Sequence, residues 1–257
     1  MQPAADAPAP AMSLAGRLFY IFAAPGEVFE AVQPARVATV NWLAPLILSM
    51  VIGILSVLTI YSQPAVIQQL RDQQTKAMDD QVQSGKMTRV QADQAEAMSE
   101  KFFGPGTIRL FGLIFVTLFN LIHIFWWALV LWVLGRLLLR ADVTYVKALE
   151  VAGLGSMISI LGSVVAALLT VCLGKISTCS LALFANQIDP KSLLHTVLQS
   201  VDFFDLWLLG VMTIGLARLG GVTWTKALPL TVAYWLAMEG ILIGLTWFFI
   251  ALGSGFK

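Results

Sequence analysis

Long apolar stretches restrict the fold of this chain more than any other feature of its sequence. Several of them reach the roughly 20 residues that cross a bilayer core about 30 Å thick. Within lipid, backbone polar groups must be bonded inside the protein, and α-helices meet that need segment by segment. In addition, 58% of the residues are hydrophobic and only 12% are charged, against about 25% charged in soluble domains. The sequence therefore predicts an all-α polytopic membrane protein.

Five segments combine the length and the apolar character of transmembrane helices. They are predicted at about 42–61, 108–139, 151–173, 203–219 and 228–252. The first has aromatic residues at both ends, where interfacial belts lie. The second is longer than the hydrocarbon core at about 1.5 Å per residue, so it must tilt or project. Together these helices define a five-span membrane domain over residues 37–257.

The residues before the first span divide into two parts. Residues 1–11 are rich in Ala and Pro, lack the features of a signal peptide and are predicted to be a flexible tail. Residues 12–36 are predicted to form short amphipathic helices that are interrupted at Pro25 and are too short to span. These helices either lie in the cytoplasmic membrane interface or pack on the rest of the protein, and the sequence leaves both alternatives open.

Residues 62–106 differ in composition from the spans on either side. The segment is rich in Gln and in charges of both signs, which indicates a water-exposed insert. Apolar residues recur at helical intervals, Ser84-Gly85 interrupts them, and Thr88 with Gln91 forms a capping box for a second helix. The sequence thus predicts an external helical hairpin between spans one and two.

The orientation follows from the Lys and Arg residues in the short connections. The side that holds the N-terminus carries seven and the opposite side three. The seven are Arg17, Arg36, Arg136, Arg140, Lys147, Arg218 and Lys226, and the three are Lys175, Lys191 and Lys257. This excess predicts a cytoplasmic N-terminus and an external C-terminus.

The two cysteines, Cys172 and Cys179, are then placed on the non-cytoplasmic side. An oxidising compartment there would permit a disulfide between them. A continuous helix would hold the sulfurs too far apart, and Gly174-Lys175 offers the break that pairing needs. Two unpaired thiols are the alternative.

Two stretches carry a family resemblance. One is the amphipathic entry RLFYIFAAPGEVFEAV, and the other is VDFFDLWLLGVMTIGLARLGGVTWTKAL, from Val201 to Leu228. With the order of the spans, they make the chain resemble the Yip (Ypt-interacting protein) membrane family, especially its short bacterial-type members, over roughly residues 14–252. The resemblance implies an integral protein of the bacterial cytoplasmic (inner) membrane with a cytosolic N-terminus.

Eukaryotic members of that family are linked to Rab GTPases and vesicle traffic. This sequence lacks their long N-terminal region with its Asp-Leu-Tyr-Gly-Pro motif, so a GTPase partner is doubtful. The hairpin at 62–106 is also longer than expected for the family and is a candidate site for a partner of its own.

The sequence shows no motif of a known catalytic class. It has no HExxH, GxSxG, CxxC or Walker-type glycine loop, and its two histidines lie on different elements. Neither a catalytic site nor a metal or cofactor is therefore predicted. A net charge of +1 gives no general attraction to nucleic acid.

Polar groups inside the spans are the remaining candidates, because they seldom face lipid. Glu239 lies near the middle of span five, and Asn120 and His123 share a face of span two. They either line a polar pocket or form a buried hydrogen-bonded clasp between helices, and the sequence favours the clasp.

Two further sets of residues concern the helices themselves. Asp202 and Asp205 precede and begin span four, where capping is favoured over ion binding. Small residues predict close helix packing on spans three and five: Gly155, Ser159, Gly162, Gly240 and Gly244.

Together these patterns favour a non-enzymatic membrane organiser or adaptor. Its expected partners are membrane lipids and either another membrane protein or further copies of the chain. The alternative is a small transporter or channel subunit with a mid-membrane polar site, although five spans do not divide into two equal repeats. An intramembrane enzyme is a third alternative.

Overall fold

The computed structural model describes residues 12–102, 104–185, 188 and 192–254. The predicted tail, residues 1–11, lies outside this part of the chain. Within it, five helical segments are long and apolar enough to cross a membrane. The predicted all-α, five-span membrane protein is thereby confirmed.

Eleven α-helices occupy the described residues. They are α1 (Leu14–Tyr20), α2 (Pro25–Val32), α3 (Val40–Ile60), α4 (Pro64–Gln83), α5 (Arg89–Phe102), α6 (Pro105–Val133), α7 (Tyr145–Gly155), α8 (Met157–Leu173), α9 (Leu193–Ser200), α10 (Phe203–Gly220) and α11 (Trp224–Ser254). A π-helical turn, Leu134–Leu138, extends α6, and a 3-10 turn covers Leu181–Phe184.

The five candidate spans match the predicted segments in order and number. They are Val40–Ile60, Gly106–Leu138, Tyr145–Leu173, Phe203–Gly220 and Trp224–Phe248. The fourth is the most enclosed, since 50% of its 18-residue apolar stretch is buried within the protein. The corresponding share of the fifth span is only 6%. Most of span five is therefore left for lipid or for another polypeptide.

The helix of span three begins before residue 151, the predicted start of the span. Its helix begins at Tyr145, where the Thr144 side chain accepts a hydrogen bond from the Lys147 amide and caps the first turn. Lys147 and Glu150 thus lie inside the helix. Apolarity alone places the start of the span after Glu150, because it does not register that the charges of Lys147 and Glu150 pair with each other.

The chain divides into two compact units, which are described separately. The first comprises the described residues up to Ile47, the segment His123–Ser159, and those from Phe204 onward. The second comprises Leu48–Ile122 and Ile160–Phe203.

In the first unit, the two N-terminal helices differ in how they pack. Val28, Phe29 and Val32 of α2 are buried, so this helix packs on the protein. Helix α1 has no buried residue, and the Phe19 side chain is 75% exposed. An interfacial position in the membrane therefore stays a prediction for α1, while α2 belongs to the protein core.

In the second unit, α4 and α5 form a helical hairpin. Gln91 and Thr88 make the reciprocal bonds of a capping box, and Arg89 forms an ion pair of 2.6 Å with Asp79. At the base of the hairpin, the Gln69 side chain accepts a hydrogen bond from the Ile176 amide. The hairpin is thus attached to the segment that follows span three.

Candidate functional site

A buried carboxylate forms the centre of the most connected polar group in the first unit. Glu150 on α7 is completely inaccessible to solvent. Its Oε1 atom accepts hydrogen bonds from the Ala38 amide at 2.8 Å and from the Asn41 side-chain amide at 2.7 Å. Burial of a charge is costly unless the charge is paired and hydrogen-bonded, and both conditions are met here.

Lys147, one helical turn before Glu150, supplies the opposite charge. Its Nζ lies 2.8 Å from Glu150 Oε2, in an ion pair that lacks the alignment of a hydrogen bond. Nζ also donates to the carbonyl oxygens of Val32 and Ala35, at 2.8 and 2.7 Å. A cation near the C-terminus of α2 is favourable because the helix dipole is negative there.

Asn41 at the start of α3 extends the group toward α1. Its side-chain oxygen accepts a 2.8 Å hydrogen bond from Arg17 Nη1, while its nitrogen donates to Glu150. Asn41 itself is buried. We call Arg17, Asn41, Lys147 and Glu150 the Glu150 cluster, and it joins side chains from α1, α3 and α7 to the end of α2.

A close helix crossing positions this cluster. A Cβ atom on Gly153 would clash with Trp42 Cα and would lie 3.0 Å from the Asn41 carbonyl oxygen. Only glycine permits α7 to approach α3 so closely. The crossing lies one turn after Glu150 and brings the start of α3, with Asn41, against that carboxylate.

Neither Glu150 nor Asn41 is among the site residues predicted from the sequence. Glu150 directly precedes the apolar run from which the third span was predicted, and it is not part of that run. A usable signal was present, since Lys and Glu three residues apart share one helix face. Nothing in the local sequence of Asn41 indicates its distant partner.

Of the three predicted polar residues of the spans, Asn120 and His123 have separate hydrogen-bond partners. In the second unit, the Asn120 amide donates to the carbonyls of Val116 at 2.9 Å and Ser49 at 3.4 Å. In the first unit, His123 Nε2 accepts a 3.2 Å hydrogen bond from Trp127. Among the described residues, no hydrogen bond reaches the half-buried Glu239 side chain. The clasp through Glu239 thus stays a prediction that no observed bond supports.

The acidic pair lies at the start of span four. Asp202 directly precedes α10, and Asp205 is in its first turn. Asp202 also forms an isolated antiparallel bridge with Ser180. These positions are compatible with the preferred capping role, which stays a prediction.

Cys172 and Cys179 are both free thiols in the structure, so the predicted disulfide is not formed there. Partial burial and the neighbouring Asp202 carboxylate raise the pKa of the Cys179 thiol. This thiol is consequently a weaker nucleophile near neutral pH than an ordinary cysteine.

The small residues fall into two environments. On α7, a Cβ atom at Gly155 would lie 2.8 Å from Met212 Cε, so α7 and α10 are in close contact there. Ser159 and Gly162 on α8 are half-buried. On α11, a Cβ atom at Gly240 or Gly244 would meet no described atom within 4 Å. Among the helices that the structure describes, none supplies the close packing predicted at these two glycines.

Metal-binding side chains are dispersed in the part of the chain that the structure describes. No group of three or more His, Cys, Asp or Glu residues there could hold a metal ion.

Comparison with known proteins gives one family match. No curated protein and no solved structure matches the chain significantly. The sequence model of the Yip1 domain matches residues 19–256, which is nearly the whole chain and includes every candidate span. The chain therefore belongs to the Yip1 domain family, as its sequence resemblance predicted.

Proposed function

We propose that this integral membrane protein is a non-enzymatic organiser or adaptor that acts through helix packing and through protein or lipid partners. The Yip1 family consists generally of non-catalytic membrane proteins. The observation that carries the proposal is the Glu150 cluster, because its charged groups are used to hold helices together.

The bonding within the cluster supports a positioning role. Glu150 Oε1 accepts two hydrogen bonds, and Lys147 Nζ contacts three oxygen atoms. A general acid or base must reach a substrate proton, whereas the Glu150 carboxylate is enclosed. The cluster instead attaches α1 and α2 to the membrane domain. These two helices would form a surface on the side of the N-terminus.

The α4–α5 hairpin is the proposed contact surface for a protein partner. Val90 and Met98 on α5 are exposed to 65% and 63%, although they are apolar and lie in a Gln-rich segment. Exposed apolar side chains on a polar helix are suited to packing against another polypeptide.

We further propose that the N-terminus is cytoplasmic, the C-terminus is external, and the membrane is the bacterial inner membrane. With Cys172 and Cys179 replaced by Ser, Lys86→Cys is expected to react with an impermeant maleimide in spheroplasts. Asp142→Cys, in the connection between α6 and α7, is expected to react only after permeabilisation. Both residues are exposed, so a difference in labelling would report the side of the membrane on which each residue lies. The reverse pattern of labelling would contradict the orientation.

The organiser role is testable by cross-linking mass spectrometry on native membranes. Val90→Glu with Met98→Glu is expected to remove cross-links between the hairpin and a defined partner, because it places charge on the proposed contact surface. The matched control is Gln94→Glu, which adds a charge to the same helix at an exposed polar position. The control is expected to keep those cross-links.

Two results would count against the organiser proposal. One is a set of hairpin cross-links that the double variant leaves unchanged. The other is a pH-driven flux into proteoliposomes containing the purified protein, abolished by Glu239→Gln without loss of thermal stability. That flux would favour a transporter, since a coupled proton step needs a titrating carboxyl group.

A further inference from the structure

A groove of about 800 Å³ opens in the first unit between the start of α2, the second half of α10 and the start of α11. Its volume lies within the range of small-molecule sites. Most lining residues are apolar or small, and they include Ile214, Val222, Trp224 and Leu228. Arg218 is the only charged residue among them.

A smaller hollow of about 380 Å³ continues from this groove. The two share Ala217, Arg218, Gly221 and Val222, and the hollow adds Glu30, Gln33 and Pro34. Arg218 Nη2 lies 3.2 Å from Glu30 Oε2. One apolar groove therefore leads into a polar hollow that presents a cation and an anion side by side.

The site lies where a membrane lipid could enter it. Arg218 is in the last turn of span four, and Trp224 begins span five after a short connection. Both are substantially exposed. Arg heads and Trp rings are favoured at the level of lipid headgroups.

We propose that this groove binds phosphatidylethanolamine. The Arg218 guanidinium would bind the phosphodiester, because its planar fork matches phosphate oxygens. The Glu30 carboxylate would accept hydrogen bonds from the primary ammonium group. An acyl chain would lie against Ile214 and Leu228 in the larger groove.

The paired charges select the headgroup. An anionic headgroup without an amine would place a negative charge near Glu30 with no donor to satisfy it. A choline headgroup carries a positive charge but no N–H donor. The Arg218–Glu30 ion pair does not block entry, since both side chains are partly solvated and such pairs contribute little to stability.

The proposal does not depend on the organiser role. It concerns a lipid site on the side of the N-terminus, whereas the proposed protein contact is the α4–α5 hairpin. The two proposals can therefore fail separately.

Native mass spectrometry of the delipidated full-length protein in detergent tests the assignment. The probes are phosphatidylethanolamine, phosphatidylcholine and phosphatidylglycerol with identical acyl chains. The parent protein is expected to bind phosphatidylethanolamine most tightly. Arg218→Gln is expected to weaken that binding about tenfold, because a charge-assisted hydrogen bond is lost. Arg136→Gln removes an exposed cation outside the groove and should leave binding unchanged.

Two further variants separate the headgroup from the acyl chain. Glu30→Gln is expected to reduce phosphatidylethanolamine binding to the level of phosphatidylcholine. Gly26→Leu keeps both charges but fills the groove, since a Cβ atom there would already lie 3.6 Å from Arg218 and 3.9 Å from Ile214. It is expected to weaken the binding of all three lipids.

Equal binding of the three lipids to the parent protein would overturn the proposal, as would preferential binding of phosphatidylglycerol. Equal losses in Arg218→Gln and Arg136→Gln would also overturn it. If Arg218→Gln does not fold, as judged by its melting temperature, the test rests on Glu30→Gln, because the Glu30 side chain is exposed. Unchanged preference for phosphatidylethanolamine in that variant would then refute the proposal.

Discussion

Glu150→Ala is expected to lower the free energy of unfolding by about 3–5 kcal/mol, the cost of removing one partner from a buried ion pair. The change would leave the Ala38 amide, the Asn41 side chain and the Lys147 ammonium without their carboxylate. Denaturant titration in mixed micelles would measure the change.

Glu30→Ala is the matched control for this prediction. Glu30 also pairs with an arginine, at 3.2 Å, but both side chains of that pair are partly exposed. Its removal is expected to cost less than about 1 kcal/mol. Equal losses in the two variants would show that burial of the Glu150 cluster has no special role.

A double-mutant cycle locates the effect within the cluster. Asn41→Ala removes the side chain that donates to Glu150 and accepts from Arg17. Combined with Glu150→Ala, its cost is expected to be smaller than the sum of the single costs by about 0.5–3 kcal/mol, because the two residues are in contact. Strict additivity would contradict the shared hydrogen bond.

The number and order of the spans could be predicted because each depends on a continuous local property. A long apolar run and the bilayer thickness together determine a helix, whatever its neighbours. The helix ends depend on caps and distant partners. Span three shows this, since its first two turns contain Lys147 and Glu150. Their charges pair with each other, and backbone groups more than one hundred positions earlier are hydrogen-bonded to them.

The candidate site could not be predicted for the same reason. Glu239 was predicted as a site residue because it is polar and lies near the middle of a span. No hydrogen bond between described residues reaches its side chain. The better connected carboxylate, Glu150, lies at a span end, where charges are common. Its importance depends on Asn41 and the Ala38 amide, and no periodicity in one helix encodes a contact with another.

The glycines illustrate the limit of spacing as a signal. Gly240 and Gly244 have the spacing typical of close helix pairs, but no residue in the described part of the chain packs against them. Gly153 contacts the α3 backbone, although it is not among the residues that were predicted to pack closely. Spacing identifies helix faces that permit a close approach, and only the tertiary arrangement determines where one occurs.

Gly153→Ala and Gly240→Ala are accordingly expected to have opposite effects. At Gly153 the new methyl group would meet Trp42 Cα, a backbone atom that no rotamer change can move. The helices would have to separate, at a cost of about 3 kcal/mol, the upper part of the usual range for overpacking. At Gly240 the methyl group meets no atom of the described residues within 4 Å, and the same change is expected to leave stability unaltered or raise it by up to about 1 kcal/mol.

Denaturant titration of the two variants beside the parent protein would measure this difference, with the oligomeric state followed by light scattering. Separation of α7 from α3 would also draw Asn41 away from Glu150, because Gly153 lies one turn after that carboxylate. The costs of Gly153→Ala and Glu150→Ala are therefore expected to overlap rather than add. Destabilisation by Gly240→Ala with a fall in oligomer size would instead show that this glycine packs against a second copy, whereas equal effects at both glycines would contradict the close α3–α7 crossing.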